Sequence, residues 1–258
     1  MTFESYFHAP CWLCVRASAL QNYTIFDFIL LAVALFLLPV QSVITGRKLA
    51  VAETSQRALL RRYALTLFRG AAIAVYVIAL WRWSGRSFGL LGLRAPTDLR
   101  SQAGFILDIV VAAVFTFQHL RLKNFSPQTV AKLQEAFKSK RIVPRNRAEF
   151  SLFSAVALIG SVWEELLFRG FLIWFFSAIV GLAGAIVCSV IVFGLAHAYQ
   201  GWRNILRTAL MGAVFAVGYV ATRSLWWVIV AHAIMNIMGG LFGLRVARLA
   251  ARTSDTPA

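Results

Sequence analysis

The feature that most limits the fold of this chain is an almost continuous apolar region from about residue 150 to 244. A region of this length can cross ~30 Å of hydrocarbon several times, and each crossing must be helical because lipid leaves open backbone groups without hydrogen-bond partners. The whole chain has the same character, with 60% hydrophobic and only 14% charged residues. The sequence therefore predicts an all-α fold, a polytopic integral membrane helical bundle with about seven to eight transmembrane helices.

Polar, glycine and proline residues divide the apolar sequence into seven predicted spans, at 24–45, 64–83, 102–119, 150–177, 182–199, 203–222 and 225–244. An eighth span results if the fourth divides near Arg169 and Gly170. The polar segment between the third and fourth spans fits a short amphipathic helix at the membrane surface, with Leu133 and Phe137 on one side.

These spans suggest three parts of the chain. Residues 1–149 form an N-terminal region with about three transmembrane helices and a basic cytoplasmic loop at 120–149. Residues 150–244 form a membrane core, and 245–258 form a basic C-terminal tail.

The net charge of +16 arises from 26 Lys and Arg against 10 Asp and Glu. These cations lie mainly in the loops between apolar runs, as the positive-inside rule expects, so we predict contact with the lipid bilayer and no nucleic-acid partner. The predicted first and third loops are the most basic, which places them in the cytoplasm and fits seven spans with the N-terminus outside. We expect a multi-pass protein of the plasma membrane of a prokaryote. Cys11 and Cys14 lack further ligands at zinc-site spacing, so their role stays open.

Few polar side chains inside the apolar segments could carry chemistry. The acids there are Asp27, Asp108, Glu164 and Glu165. A charge at mid-bilayer costs at least about 2.5–3.5 kcal/mol, so each needs a use or a neutralising partner. We expect Asp27 and Asp108 to face lipid headgroups near the ends of their spans.

Glu164 and Glu165 point about 100° apart on a helix. Arg169 follows Glu165 by four residues, the favourable order for an ion pair. That pair would leave Glu164 unpaired in a low-dielectric site, where a carboxylate becomes a useful general base. A purely structural Glu–Arg bridge explains Glu165 and Arg169 equally well but gives Glu164 no partner.

Two histidines and an asparagine lie in the following apolar segments. His197 ends the run that starts at Phe193, and Asn236 follows His232 by one helical turn on the same face. Each histidine could be a packed core residue, and a His–Asn pair could bridge two helices for about 1 kcal/mol. In an active site, the asparagine amide would hold substrate or donate to an oxyanion.

The three patterns together resemble a known family. Glu164-Glu165 with Arg169 match EExxxR, Phe193 to His197 match FxxxH, and His232 to Asn236 match HxxxN. Their order over roughly residues 150–240 resembles the CPBP (Abi) family of intramembrane endopeptidases, which includes the type II CAAX prenyl endopeptidases. The resemblance implies an all-helical catalytic membrane core whose motif helices line a cavity open to water.

The resemblance also implies residue roles. Glu164 would activate water, and His197, His232 and Asn236 would assist it or stabilise the oxyanion. Glu165, Arg169 and Phe193 would support the site. We expect no cofactor, although Glu164 and the two histidines could in principle ligate zinc.

The predicted function is an intramembrane endopeptidase that hydrolyses peptide bonds of a membrane-associated protein or peptide with glutamate-activated water. Two alternatives remain at this stage. One is a non-catalytic scaffold or immunity protein of the same fold, and the other is a proton-coupled transporter with a Glu–His relay. A transporter of this size would usually show two related halves, and the sequence shows none.

Overall fold

The computed structural model describes residues 23–51, 55–138 and 142–254, and every regular element in these ranges is helical. Six helices are long and apolar enough to cross a membrane, judged by length and composition. The predicted all-α, polytopic membrane bundle is therefore confirmed. Cys11 and Cys14 lie outside the described residues.

Helix α1 is continuous through Pro39 and Gly46, where the sequence suggested an end. It consists of Ile25–Ala32, a π-helical turn at Val33–Leu37, and Leu38–Val51. The π turn directly precedes Pro39, which lacks an N–H and whose ring crowds the carbonyl four residues earlier. The wider turn lets the helix pass the proline.

The next helices are α2 (Gln56–Trp83), α3 (Leu99–Arg121) and the short α4 (Pro127–Lys138). Helix α2 is capped by the Ser55 hydroxyl, which accepts from the Ala58 N–H at 3.3 Å. Helix α3 is capped by Asp98, which accepts from the Ser101 N–H at 3.0 Å. Both caps satisfy N–H groups that would otherwise lack partners at a helix start.

Helix α4 has the apolar side that the sequence predicted. Leu133 and Phe137 pack against a small buried cluster formed by Leu122, Val130 and Val246. Val246 belongs to the last helix of the chain, so α4 is attached to the bundle through that helix.

The longest helical segment, Arg147–Ala196, has 50 residues and is a hairpin. Gly181 breaks it with φ 75° and ψ 170°, a conformation that glycine adopts readily. The Ser189 hydroxyl donates to the Phe168 carbonyl at 2.7 Å, although 21 residues separate them. A straight helix would hold them about 30 Å apart. We name the two arms α5 (147–180) and α6 (182–196).

The predicted division near Arg169 and Gly170 is not observed. Helix α5 instead continues from Arg147–Glu164 into a π-helical segment, Glu165–Leu172. All eight residues of that segment are buried. Helices α7 (Trp202–Thr222) and α8 (Trp226–Ser254) complete the bundle, and α8 includes the start of the predicted basic tail.

Helix α5 lies at the centre of the packing. Helix α2 runs parallel to it, since the rings of Tyr63 and Phe153 lie 5.8 Å apart at one end and those of Trp81 and Trp174 lie 4.8 Å apart at the other. Helix α8 packs along both α5 and α3. The central position of α5 keeps its polar residues away from lipid.

The expectation that Asp27 and Asp108 face headgroups is wrong, because both are buried. The Asp27 carboxylate accepts two hydrogen bonds of 2.7 Å from the Arg86 guanidinium. Arg86 also lies over the Trp174 ring at 4.5 Å, so this ion pair joins α1 to the α5 arm. Asp108 lies midway along α3, and neither of its carboxylate oxygens has a hydrogen-bond partner among the described residues.

Candidate active site

The π-helical segment of α5 begins with the pair that the sequence predicted. The Arg169 guanidinium donates to Glu165 Oε1 at 3.0 Å, and both side chains are fully buried. Arg169 also donates to the Gly212 carbonyl of α7 at 3.3 Å and lies over the Phe193 ring at 4.1 Å. The cation is therefore held by three elements, α5, α6 and α7.

Glu165 has a second partner on α8. The Nδ1 atom of His232 lies 2.7 Å from Glu165 Oε1, the same oxygen that receives Arg169. A single carboxylate oxygen thus orients a cation from its own helix and an imidazole from another. The Glu165–Arg169 pair is more than a helix-stabilising bridge, because it fixes the direction in which His232 points.

Glu164 faces a different group of side chains. Its Oε2 atom lies 3.6 Å from Nε2 of His197 and 3.8 Å from Nε2 of His232. All three side chains keep some exposure, 14% for Glu164 and His197 and 10% for His232, whereas Glu165 has none. Residues far apart in sequence therefore meet at one small, partly accessible site.

The protons of the two imidazoles can be placed from their hydrogen bonds. A backbone carbonyl can only accept, so Nδ1 of His197, 2.8 Å from the Phe193 carbonyl, carries a proton. Nδ1 of His232 donates in the same way to the Glu165 carboxylate. In the neutral imidazoles, both Nε2 atoms then present lone pairs to Glu164 Oε2.

Three hydrogen-bond acceptors thus face one another at this site. Glu164 Oε2 is buried and has no hydrogen-bond partner in the described residues. A buried carboxylate oxygen without a donor is costly. Water, which donates two hydrogen bonds, can bridge the carboxylate and an imidazole only from beside the pair, where the site is partly accessible.

The remaining predicted residues lie around this centre. The Phe193 ring is 4.6 Å from the His197 ring and 6.3 Å from the His232 ring, so it packs near both imidazoles as well as Arg169. Asn236 is one turn beyond His232 on α8 and is half-buried. Its amide makes no side-chain hydrogen bond within 23–51, 55–138 and 142–254, which leaves it available to a ligand.

The donor chemistry of Glu164, His197 and His232 would suit zinc, which binds carboxylate oxygen and imidazole nitrogen. In the described ranges, however, no group of three or more His, Cys, Asp or Glu side chains is arranged to hold a metal ion.

Sequence reasoning missed two contributors from α7. The Gly212 carbonyl accepts from Arg169, and a side chain at this position would meet Phe193 at 2.8 Å. Phe215, one turn further on, packs against the His232 ring at 5.6 Å. A glycine and a phenylalanine in an apolar helix belong to none of the three motifs, so no sequence signal pointed to them.

Comparison with known proteins agrees with this geometry. The family model described as type II CAAX prenyl endopeptidase Rce1-like matches residues 146–238. No curated protein and no solved structure matches the chain. The matched region contains every predicted site residue from Glu164 to Asn236. The matched region, which is the membrane core of this chain, is similar to the CAAX-protease-like family of membrane proteases, in agreement with the motifs in the sequence.

Proposed function

We propose that this protein is an intramembrane endopeptidase that cleaves a membrane-associated protein or peptide with water activated by Glu164. The observation that carries the proposal is the position of Glu164 Oε2, buried without a hydrogen-bond partner among the described residues and facing two imidazole nitrogens. With both imidazoles neutral, a purely structural role leaves this oxygen without a donor. A catalytic role gives it one, the nucleophilic water.

In the proposed reaction, Glu164 accepts a proton as the water oxygen attacks the scissile carbonyl carbon. The carbonyl oxygen becomes an oxyanion, and the Asn236 amide donates a hydrogen bond to it. When the C–N bond breaks, the proton held by Glu164 passes to the leaving amine. Atoms balance with water as the only co-reactant.

The two histidines orient the water and stabilise the protonated Glu164. Their Nε2 atoms accept hydrogen bonds, because each Nδ1 proton is engaged by Phe193 or Glu165. The Glu165–Arg169 pair acts through His232, so we assign both to positioning and not to contact with substrate. Phe193 covers the Arg169 cation with its ring.

The proposed reaction needs no metal. Asn236 supports this choice, since an amide is a poor zinc ligand but a good oxyanion donor. Zinc dependence is the alternative, and an analysis of metal content decides between them.

The test uses the full chain purified in detergent. The substrates are two quenched fluorescent peptides, one ending in a farnesylated Cys-aliphatic-aliphatic-X sequence and one identical but unprenylated. Glu164→Gln keeps size and hydrogen bonding but removes the base, so we expect no cleavage and unchanged thermal stability. Near wild-type cleavage by this variant would contradict the mechanism. If wild-type protein in liposomes moved protons and cleaved neither peptide, the transporter alternative would replace it.

A further inference from the structure

The segment that joins α6 to α7 carries a residue that none of the three motifs contains. Tyr199 lies two residues after His197, in the short 3-10 turn Ala198–Gln200. Its ring is 6.0 Å from the His197 ring, with 35° between the two planes. The phenol is thus a neighbour of the Glu164 centre although it lies outside the helices that carry the motifs.

Helix α1 fixes the backbone of Tyr199. The Tyr199 N–H donates to the hydroxyl of Ser42 at 2.9 Å. A methyl group at Gly46 would lie 3.0 Å from the Tyr199 Cα atom, so glycine is needed for this close approach. Two positions on α1 therefore hold the turn against the site.

The phenol hydroxyl is oriented by its neighbour. The side-chain amide of Gln200 donates to the Tyr199 phenol oxygen at 3.0 Å. The side-chain amide of Asn204 donates to the backbone carbonyl of Gln200 at 2.7 Å. A phenol oxygen has one proton and accepts mainly in the ring plane. Because the Gln200 amide donates to one lone pair of the Tyr199 oxygen, the phenol O–H proton points away from Gln200. No described residue accepts a hydrogen bond from this proton.

This proton is present at any working pH. Burial raises the pKa of Tyr199 to about 12, and the nearby Glu164 carboxylate contributes in the same direction. Tyr199 is thus a neutral donor near enough to the proposed base to feel its charge. A donor at this position can stabilise negative charge that develops beside Glu164.

We propose that Tyr199 is a further catalytic residue, whose O–H donates a hydrogen bond to the oxyanion formed when water attacks the scissile carbonyl. The inference rests on the proposed peptidase function and adds a second oxyanion donor beside Asn236. Gln200 is a positioning residue, because it acts through the phenol.

Tyr199→Phe is the decisive variant, since it keeps the ring against His197 and removes only the hydroxyl. We expect kcat for the farnesylated peptide to fall about 100-fold, with KM within about twofold of wild type. Affinity for a phosphonate analogue of the same peptide, which imitates the tetrahedral state, should fall by a similar factor. The matched control is Tyr219→Phe, whose hydroxyl faces the Leu90 carbonyl at 3.4 Å elsewhere in the bundle.

Several outcomes would overturn the inference. A Tyr199→Phe variant with wild-type kcat, or with raised KM alone, shows that the hydroxyl does not contact the oxyanion. If Tyr199→Phe loses thermal stability, its kcat no longer reports on the hydroxyl alone, and Gln200→Leu becomes the test. An unchanged kcat in Gln200→Leu also overturns the inference. If Glu164→Gln does not cleave and Tyr199→Phe is fully active, the role of Tyr199 is refuted and the proposed function stands. If the wild-type protein cleaves neither peptide, the proposed function is refuted as well.

Discussion

The buried guanidinium of Arg169 gives the sharpest test of how the site is held together. Arg169→Met keeps an apolar side chain of similar length and removes the ion pair with Glu165, the bond to the Gly212 carbonyl and the contact with the Phe193 ring. Glu165 then stays buried with a net charge and only His232 as its partner.

The expected magnitude follows from these contacts. Removing one partner of a buried ion pair typically destabilises a protein by about 3–5 kcal/mol. His232 still donates to Glu165 in the variant, so we expect the lower end, about 3 kcal/mol. At about 2–4 °C per kcal/mol for a chain of this size, the apparent Tm falls by roughly 6–12 °C.

A second substitution separates the ion pair from simple loss of packing. In Glu165→Gln, the amide oxygen can still accept from His232 while the charge is absent. The double variant Glu165→Gln/Arg169→Met should therefore be more stable than the sum of the two single losses predicts. The coupling should lie within the range of about 0.5–3 kcal/mol that interacting residues show.

The assay is thermal unfolding of the detergent-purified variants, followed by tryptophan fluorescence. The control is Arg145→Met, which removes an arginine that precedes its glutamate partner, Glu149, by four residues and whose side chain is 47% exposed. The Glu149 carboxylate keeps the backbone N–H of residue 145 as a donor in this variant, so we expect a smaller loss of stability than in Arg169→Met. The reasoning is refuted if Arg169→Met loses no more stability than Arg145→Met, or if the double variant equals the sum of the singles.

Three further predictions concern the oxyanion, the metal and the packing. Asn236→Ala should lower kcat about 100-fold with little change in KM, and a change confined to KM would assign the amide to substrate binding instead. Elemental analysis of active purified protein should find far less than one zinc per chain, whereas stoichiometric zinc, with activity lost to a chelator and restored by Zn²⁺, would reverse the assignment. Gly240→Ala should destabilise by about 1–3 kcal/mol because its methyl would collide with the Phe153 ring, while Gly239→Ala, which meets nothing within 4 Å, should be neutral or slightly stabilising in thermal unfolding.

Sequence reasoning was most successful where local spacing determines geometry. The apolar runs predicted the helices, and the predicted break between the spans 150–177 and 182–199 coincides with Gly181, where the structure has a positive φ. The four-residue spacing from Glu165 to Arg169 predicted their contact, which the fully buried pair confirms. The family resemblance was also confirmed, by the match over residues 146–238.

Sequence reasoning failed where tertiary packing determines which residues meet. Asp27 was placed among headgroups because its partner, Arg86, lies 59 residues away and no local pattern joins them. The contact between Glu165 and His232 spans 67 residues, and spacing within either motif cannot reveal it. The roles of the site residues stay predictions until the variants are measured.

The distribution of partners around α5 has a consequence for how the protein is made. Glu165 and Arg169 are carried by an early part of the core, but the Gly212 carbonyl and His232 that complete their contacts are synthesised later. During biosynthesis, α5 must therefore leave the ribosome before Glu165 and Arg169 have all their hydrogen-bond partners. The ion pair within α5 neutralises the charge at this stage, and the hairpin with α6 supplies the Phe193 ring over Arg169. The hairpin is thus the smallest unit that can enter the bilayer with the Glu165–Arg169 pair both neutralised and covered by Phe193, and α7 and α8 then join it to form the site.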